Sequence, residues 1–319
     1  MEYRPKAAIL LLSAMALLAV VGGAARVLLA RPAPAASPAR PAVLGIAHVA
    51  FLTSDLPAAR HFYHDVLGLD EVFDTKLPDT GVEVCFYKVN DHQYVELYAE
   101  SGGPNQDHLV NIGFETPDVH AMQAYLVSHG AKDVGGVHRL LGGNQGFALT
   151  DPNGHTIQFV QYLLNSMTGR RRGEDLSSRR ISDEIIHAGV IIRNRAAEDS
   201  LYKNILGFRV MWYGGMTDSR TDWVDMRVPN GANWLEYMLN VNDLSQRTLG
   251  VMHHFALGVP SVQAAARMAS ARGYSPVKPQ IGRDGKWQLN LYDPDRTRVE
   301  LMEPKPVRTP CCSPMRLGN

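Results

Sequence analysis

Single polar residues interrupt short apolar runs in the same way at four places along the chain. The stretches HVAF (48–51), NIGF (111–114), HAGV (187–190) and HFAL (254–257) each read polar, apolar or small, Ala or Gly, then large apolar. Four later stretches, VEL (95–97), IQF (157–159), LEY (235–237) and VEL (299–301), each hold one Glu or Gln between two apolar residues. Neighbouring side chains of a strand point to opposite faces, so in each stretch the polar group leaves the face that its apolar neighbours occupy. The intervals from opening to closing polar residue are 48 (His48 to Glu96), 47 (Asn111 to Gln158), 49 (His187 to Glu236) and 46 (His254 to Glu300). Matched intervals of this kind mark an internal repeat, which decides the fold before any local feature does.

The two halves also mirror each other. FYHDVLGL (62–69) corresponds to LYKNILGF (201–208), and PDVHAMQAYLVSHGA (117–131) to PSVQAAARMASARGY (260–274). The second correspondence carries Asn111 onto His254, so of the adjacent His253 and His254 the latter holds the repeat position and His253 faces the other way. Each unit reads as strand, helix, then strands. Helical spacing runs over 58–67 and 196–206 and stops at Gly68 and Gly207. β-rich runs follow at 83–89 and 223–228, the latter after Gly214-Gly215. The turns Asp151-Pro152-Asn153-Gly154 and Asp293-Pro294-Asp295-Arg296 precede closing strands. The expected organisation is a first domain over 44–163, a polar linker over 164–184, a second domain over 185–304 and a tail over 305–319.

Composition narrows this picture little. Hydrophobic residues make up 45% and charged residues 20%, as in ordinary globular chains. The 32 basic and 32 acidic side chains cancel, so no nucleic-acid footprint is visible. The basic run Arg170, Arg171, Arg172, Arg179 and Arg180 is interrupted by Glu174 and Asp175 and reads as a solvated linker. At the N-terminus Arg4 and Lys6 precede an uncharged stretch from Ala7 to Ala25, the pattern of a signal peptide or membrane anchor over 1–30. Either one places the domains outside the cytoplasm, secreted, periplasmic or anchored, with a Pro/Ala-rich linker over 31–43. Three cysteines make no disulfide framework: Cys85 reads as a core residue, and the adjacent Cys311 and Cys312 cannot easily bridge each other.

Four units with His-opened and Glu-closed strands, LGL or LGF after the helix, and a DPxG-like turn before the last strand resemble the vicinal oxygen chelate superfamily. Its members include glyoxalase I, methylmalonyl-CoA epimerase, extradiol dioxygenases and bleomycin resistance proteins. The resemblance covers about residues 44–304. It implies an α+β fold of four βαβββ modules, paired into two curled half-barrels whose opening and closing residues point at the centre. Pairing modules three and four brings together His187, Glu236, His254 and Glu300, a donor set that suits a divalent ion of Fe, Mn, Ni, Co or Zn. Modules one and two offer His48, Glu96, Asn111 and Gln158, whose two amides make a poor site. Pairing first with fourth would instead join His48 and Glu96 to His254 and Glu300; the polar linker between two self-contained halves favours the sequential pairing, and the alternative stays open at this point.

The resemblance further implies a metal-dependent enzyme acting on a small substrate that chelates through vicinal oxygens. Glu236 or Glu300 then serves as proton-shuttling base, since four protein ligands leave two vacancies. Extradiol ring cleavage at an Fe(II) held by His187, His254 and Glu300 is the alternative if Glu236 points away. Metal-free small-molecule binding is a third.

Overall fold

The computed structural model describes residues 38–100, 107–241, 249, 251–275 and 278–316. The predicted leader or anchor and most of the Pro/Ala-rich linker lie outside the described residues. Among the described residues no helix is long and apolar enough to cross a membrane.

Among the described residues, sixteen strands form two eight-stranded sheets. The first holds β1 (Gly45–Leu52), β2 (Asp70–Lys76), β3 (Glu83–Asn90), β4 (Gln93–Tyr98), β5 (Leu109–Glu115), β6 (His138–Arg139), β7 (Gln145–Thr150) and β8 (Thr156–Gln161). The second holds β9 (Ile185–Ile191), β10 (Arg209–Gly214), β11 (Trp223–Arg227), β12 (Trp234–Met238), β13 (His254–Gly258), β14 (Gln280–Ile281), β15 (Trp287–Tyr292) and β16 (Arg298–Met302). Strand order is β2-β3-β4-β1-β5-β8-β7-β6 in one and β10-β11-β12-β9-β13-β16-β15-β14 in the other. The opening strands of successive modules thus lie antiparallel side by side at the centre of each sheet, each flanked on its outer side by its own module's closing strand, in parallel. The pairing left open by the sequence is therefore one with two and three with four. The sheets are curled half-barrels of the expected α+β kind.

Every residue of β1 and β9 is buried, because both faces of a central strand are covered. Val49 and Phe51 enter a core shared by both sheets and the helices, while Ala50 and Leu52 join a smaller cluster with Phe86 and Tyr94 on the other side, the side to which His48 also points. Phe51 meets Phe255 across the halves at 5.9 Å between ring centroids. The helices begin at side-chain caps: Asp55, Asp118, Asn194 and Ser261 each accept the backbone N–H three residues on. Helical structure runs over Leu56–Arg60 and Arg195–Asp199 and continues as π-helical turns, His61–Val66 and Ser200–Ile205. Both then reverse at the predicted glycines, Gly68 (φ +74°) and Gly207 (φ +79°).

About half of the residues of the 164–184 connection are exposed, yet the backbone is tied down. The fully buried Lys88 ammonium donates to the carbonyls of Arg171 and Glu174 and pairs with Asp91 at 2.8 Å. Of the cysteines, Cys85 is a buried core thiol, and Cys311 and Cys312 are free with their Sγ atoms 2.7 Å apart.

The two closing turns dock on the opposite halves. Asn153 Oδ1 accepts the N–H groups of Arg193 and Asn194 at 2.8 and 3.0 Å. Asp295 accepts the Ser54 N–H at 3.1 Å and the Thr53 hydroxyl at 2.7 Å. Behind them Tyr63 donates to Asp293 at 3.1 Å and Tyr202 to Asp151 at 3.5 Å. Burial pushes the Asp293 carboxyl up to about 7, more than the Thr297 N–H bond holds it down. The folded protein therefore binds that proton more tightly than the unfolded chain, whose value is near the ordinary 3.8. Its contribution is complete below pH about 4 and is lost as pH rises to about 7, by up to about 4 kcal/mol. Asp293→Asn, which keeps an acceptor oxygen without the charge, removes this component. Denaturant unfolding at pH 5 and pH 8 is expected to show a smaller stability loss in the variant than in the parent.

Candidate metal centre

The central register of the second sheet builds two rows of side chains on one face. One row runs Asp225–Glu236–Gly189–His254–Arg298 across β11, β12, β9, β13 and β16. The other runs Asn290–Glu300–Ala256–His187–Trp234 across β15, β16, β13, β9 and β12. Each places a small residue between a Glu and a His, which explains the Ala or Gly of the repeat. A Cβ on Gly189 would lie 2.0 Å from the His254 ring, closer than any real contact. The first sheet repeats the device: a Cβ on Gly113 would lie 2.2 Å from the His48 ring.

Across the small residues the four polar ends converge. His187 Nε2 and His254 Nε2 are 3.1 Å apart. Glu236 Oε2 lies 3.1 Å from His254 Nε2 and 3.7 Å from His187 Nε2. Glu300 Oε2 lies 3.4 Å from His187 Nε2 and 3.7 Å from His254 Nε2. Ligand bonds of about 2.1 Å require neighbouring ligand atoms about 3.0 Å apart in an octahedron and about 3.4 Å in a tetrahedron. The spacings within the trio His187, His254 and Glu300, whose ligand atoms all lie within 4.8 Å of one another, and from Glu236 to the two imidazoles are of this order, and the donors are those of a borderline divalent cation. The His254 Nδ1 sits 2.9 Å from the Met252 carbonyl, to which its N–H donates, so the Nε2 lone pair faces the centre. His187 Nδ1 is buried without a partner.

Burial pushes the Glu236 carboxyl up, but its contacts with His254, His187 and Arg298 outweigh that and hold it at about 2. The same opposition leaves Glu300 below the usual carboxylate range: burial raises it, and His187, Arg298 and His254 bring it down. Burial and then Arg298 press His254 down to about 4. At neutral pH the set is thus two carboxylates with His254 neutral, the forms a cation needs.

Arg298 escaped the sequence reading. Its Nη2 stands 2.7 Å from His254 Nε2, where it donates to the lone pair. Asp225 was missed too; it pairs with Glu236 in register and is buried, and burial raises its carboxyl well above the ordinary value despite Lys286. Lys286 is fully buried, 3.3 Å from Asp284 and 4.3 Å from the Trp234 ring centre. Arg298 and Trp234 each stand two residues before a closing Glu, so strand parity alone could have placed them on the same face. Asp225 and Lys286 carry no repeat signature.

A cavity of about 250 Å³ opens on the centre, walled by Trp212, Trp223 and Trp234. Tyr237 is fully buried in the core and Tyr213 is exposed. His253, facing the other way, pairs with Asp107 at 2.7 Å. In the first sheet His48 Nε2 is taken by the Asn111 amide oxygen at 2.7 Å, Glu96 Oε1 stands 3.7 Å from His48 Nδ1, and burial raises the Glu96 carboxyl.

Residues 45–159 and 185–301 each match the Glyoxalase/Bleomycin resistance protein/Dioxygenase superfamily. No curated protein sequence matches the chain. Among solved structures, the 2,3-dioxygenase LapB from Pseudomonas sp. KL28 shares 17% identity over 85% of this chain and 97% of its own, with a TM-score of 0.64. Homoprotocatechuate 2,3-dioxygenase from Brevibacterium fuscum, complexed with 3,4-dihydroxyphenylacetate, shares 18% identity over 88% of this chain and 86% of its own, with a TM-score of 0.63. At these identities the likeness is one of fold. Two matched repeats covering most of the chain, each folded as a curled half-barrel, make the protein a two-domain member of the glyoxalase/bleomycin resistance protein/dioxygenase superfamily.

Proposed function

We propose that the second half binds one divalent metal ion through His187, Glu236, His254 and Glu300, and that the protein is an enzyme of the glyoxalase or epimerase type. The observation carrying this reading is that Glu236 turns into the centre, 3.1 Å from His254, instead of leaving it. A fourth protein donor leaves room for a bidentate substrate but not for a bidentate substrate and O₂ together. The ion, when bound, supplies Lewis-acid polarisation of vicinal oxygens.

The chain's own residues supply the rest. Arg298 yields the His254 lone pair to the ion, and its guanidinium is then free to pair with a developing oxyanion in the cavity. The tryptophan walls exclude water and favour a small, partly apolar substrate. Glu236 and Glu300 are held low by their contacts with His254, His187 and Arg298, against the burial that raises both. A carboxylate released from those partners is a buried, more basic group able to take a carbon-bound proton next to a carbonyl. Export to the periplasm or beyond belongs to the same proposal and rests on the charge pattern of residues 1–30 alone.

Extradiol ring cleavage is the second reading. It is favoured by the trio His187, His254 and Glu300, whose ligand atoms all lie within 4.8 Å of one another, and by the fold shared with two dioxygenases.

Metal analysis together with two activity assays separates the readings. Proton transfer predicts bound divalent metal, hydrogen–deuterium exchange next to the carbonyl in a panel of small α-hydroxycarbonyl compounds, and no oxygen uptake with catechols. Glu236→Gln is expected to slow that exchange about 10²–10⁴-fold. Stoichiometric oxygen consumption with a catechol would overturn this reading in favour of ring cleavage. Gly189→Ala drives a methyl into the His254 ring, and overpacking of this kind costs about 1–3 kcal/mol. Dialysis against Zn(II) is expected to show a loss of metal affinity of at least tenfold, with the far-UV spectrum unchanged.

A further inference from the structure

The docked closing turns come in two copies, and the copies differ in chemistry. Where the turn of the fourth module meets the first helix, the buried residues are Asp293, Thr297, Tyr63 and Ala59. Where the turn of the second module meets the third module's helix, the corresponding residues are Asp151, His155, Tyr202 and Glu198. The backbone contacts are the same at both seams, Asp295 on Ser54 and Asn153 on Arg193 and Asn194. Docking therefore needs neither an imidazole nor a buried carboxylate on the helix side, and one seam has both.

We propose that Asp151, His155 and Glu198 form a second divalent-cation site, separate from the His187/His254 centre, that ties the first half to the second. Each of the three offers a ligand atom within 4.8 Å of the others, and all are at least nine-tenths buried. His155 Nδ1 lies 2.8 Å from Asp151 Oδ2. The Asn153 amide donates to one Glu198 oxygen, while the other, Oε1, is buried without a donor, and the carboxyl faces that of Asp151. A second orphan stands beside it: His253 is 3% exposed, its ring packs edge-on to His155 at 5.0 Å between centroids, and its Nε2 has no partner. Burial and the facing Asp151 push the Glu198 carboxyl up to about 9, which measures how poorly two adjacent buried carboxylates tolerate each other without a cation or a shared proton between them. Two carboxylates and one or two imidazoles, with no thiolate, suit Zn(II) or Mn(II).

The molecule supplies its own control substitutions, because Glu198→Ala and His155→Thr install what the other seam already carries at Ala59 and Thr297. The test is equilibrium dialysis of the full chain against Zn(II) in a His187→Ala/His254→Ala background, which disables the central site. One equivalent of Zn(II) is expected to remain bound in that background. Adding Glu198→Ala and His155→Thr is expected to weaken its binding at least 100-fold and to abolish the Zn(II)-dependent rise in melting temperature. Glu198→Gln, closer in shape, is expected to do the same and guards against a packing defect. If the background protein binds no Zn(II), or binds it equally well after the seam substitutions, a proton shared by Asp151 and Glu198 explains the cluster and the proposal fails. The central metal is judged separately, by the difference between the unmodified chain and the His187→Ala/His254→Ala protein.

Discussion

The whole centre depends on one steric allowance, the missing side chain between each carboxylate and each imidazole. Cross-strand neighbours on one face stand about 5 Å apart at Cβ, so ordinary residues at Gly189 and Ala256 would fill the space in which the polar ends meet. With Gly189 and Ala256 there instead, His254 folds over one and His187 approaches over the other, and the glutamates reach in from the flanking strands. The same allowance at Ala50 and Gly113 in the first half lets His48 settle against Asn111. What differs between the halves is the chemistry set into a common geometry: an imidazole and a carboxylate in one, two amides in the other.

This is also why so much of the fold could be read from the chain. A functional row that crosses the sheet centre prints itself four times, as a polar residue, a small residue two places on, and a Glu or Gln about 48 residues later. The helix stops at Gly68 and Gly207 and the DP turns were equally visible, because each is a backbone requirement met by few residue types. Module pairing was favoured by the polar linker between the halves but not fixed. It is fixed by β1 lying against β5 and β9 against β13, and strand adjacency leaves no trace when both alternatives satisfy the same pattern.

The residues that escaped share a physical character. Asp225, Arg298, Asp284 and Lys286 are charged groups on strands or turns, where charge ordinarily means solvent. Here they are buried or half-buried because the concave face is itself polar and charged groups compensate one another within it. Periodicity reports which face a residue takes, and composition reports its charge, but neither reports whether that face is wet. The seam at Asp151 was hidden differently: its turn was recognised as a turn, and only the partner helix from the other half brings a second carboxylate, Glu198, to Asp151 and His155.

The junction of Phe51 with Phe255 carries a consequence for the history of the molecule. Because a single apolar interior is lined by both sheets, neither half can be discarded without exposing the other's oily surface. A half whose four central positions include two amides, Asn111 and Gln158, is thereby kept as scaffolding, its shape held by the shared interior whatever its chemistry.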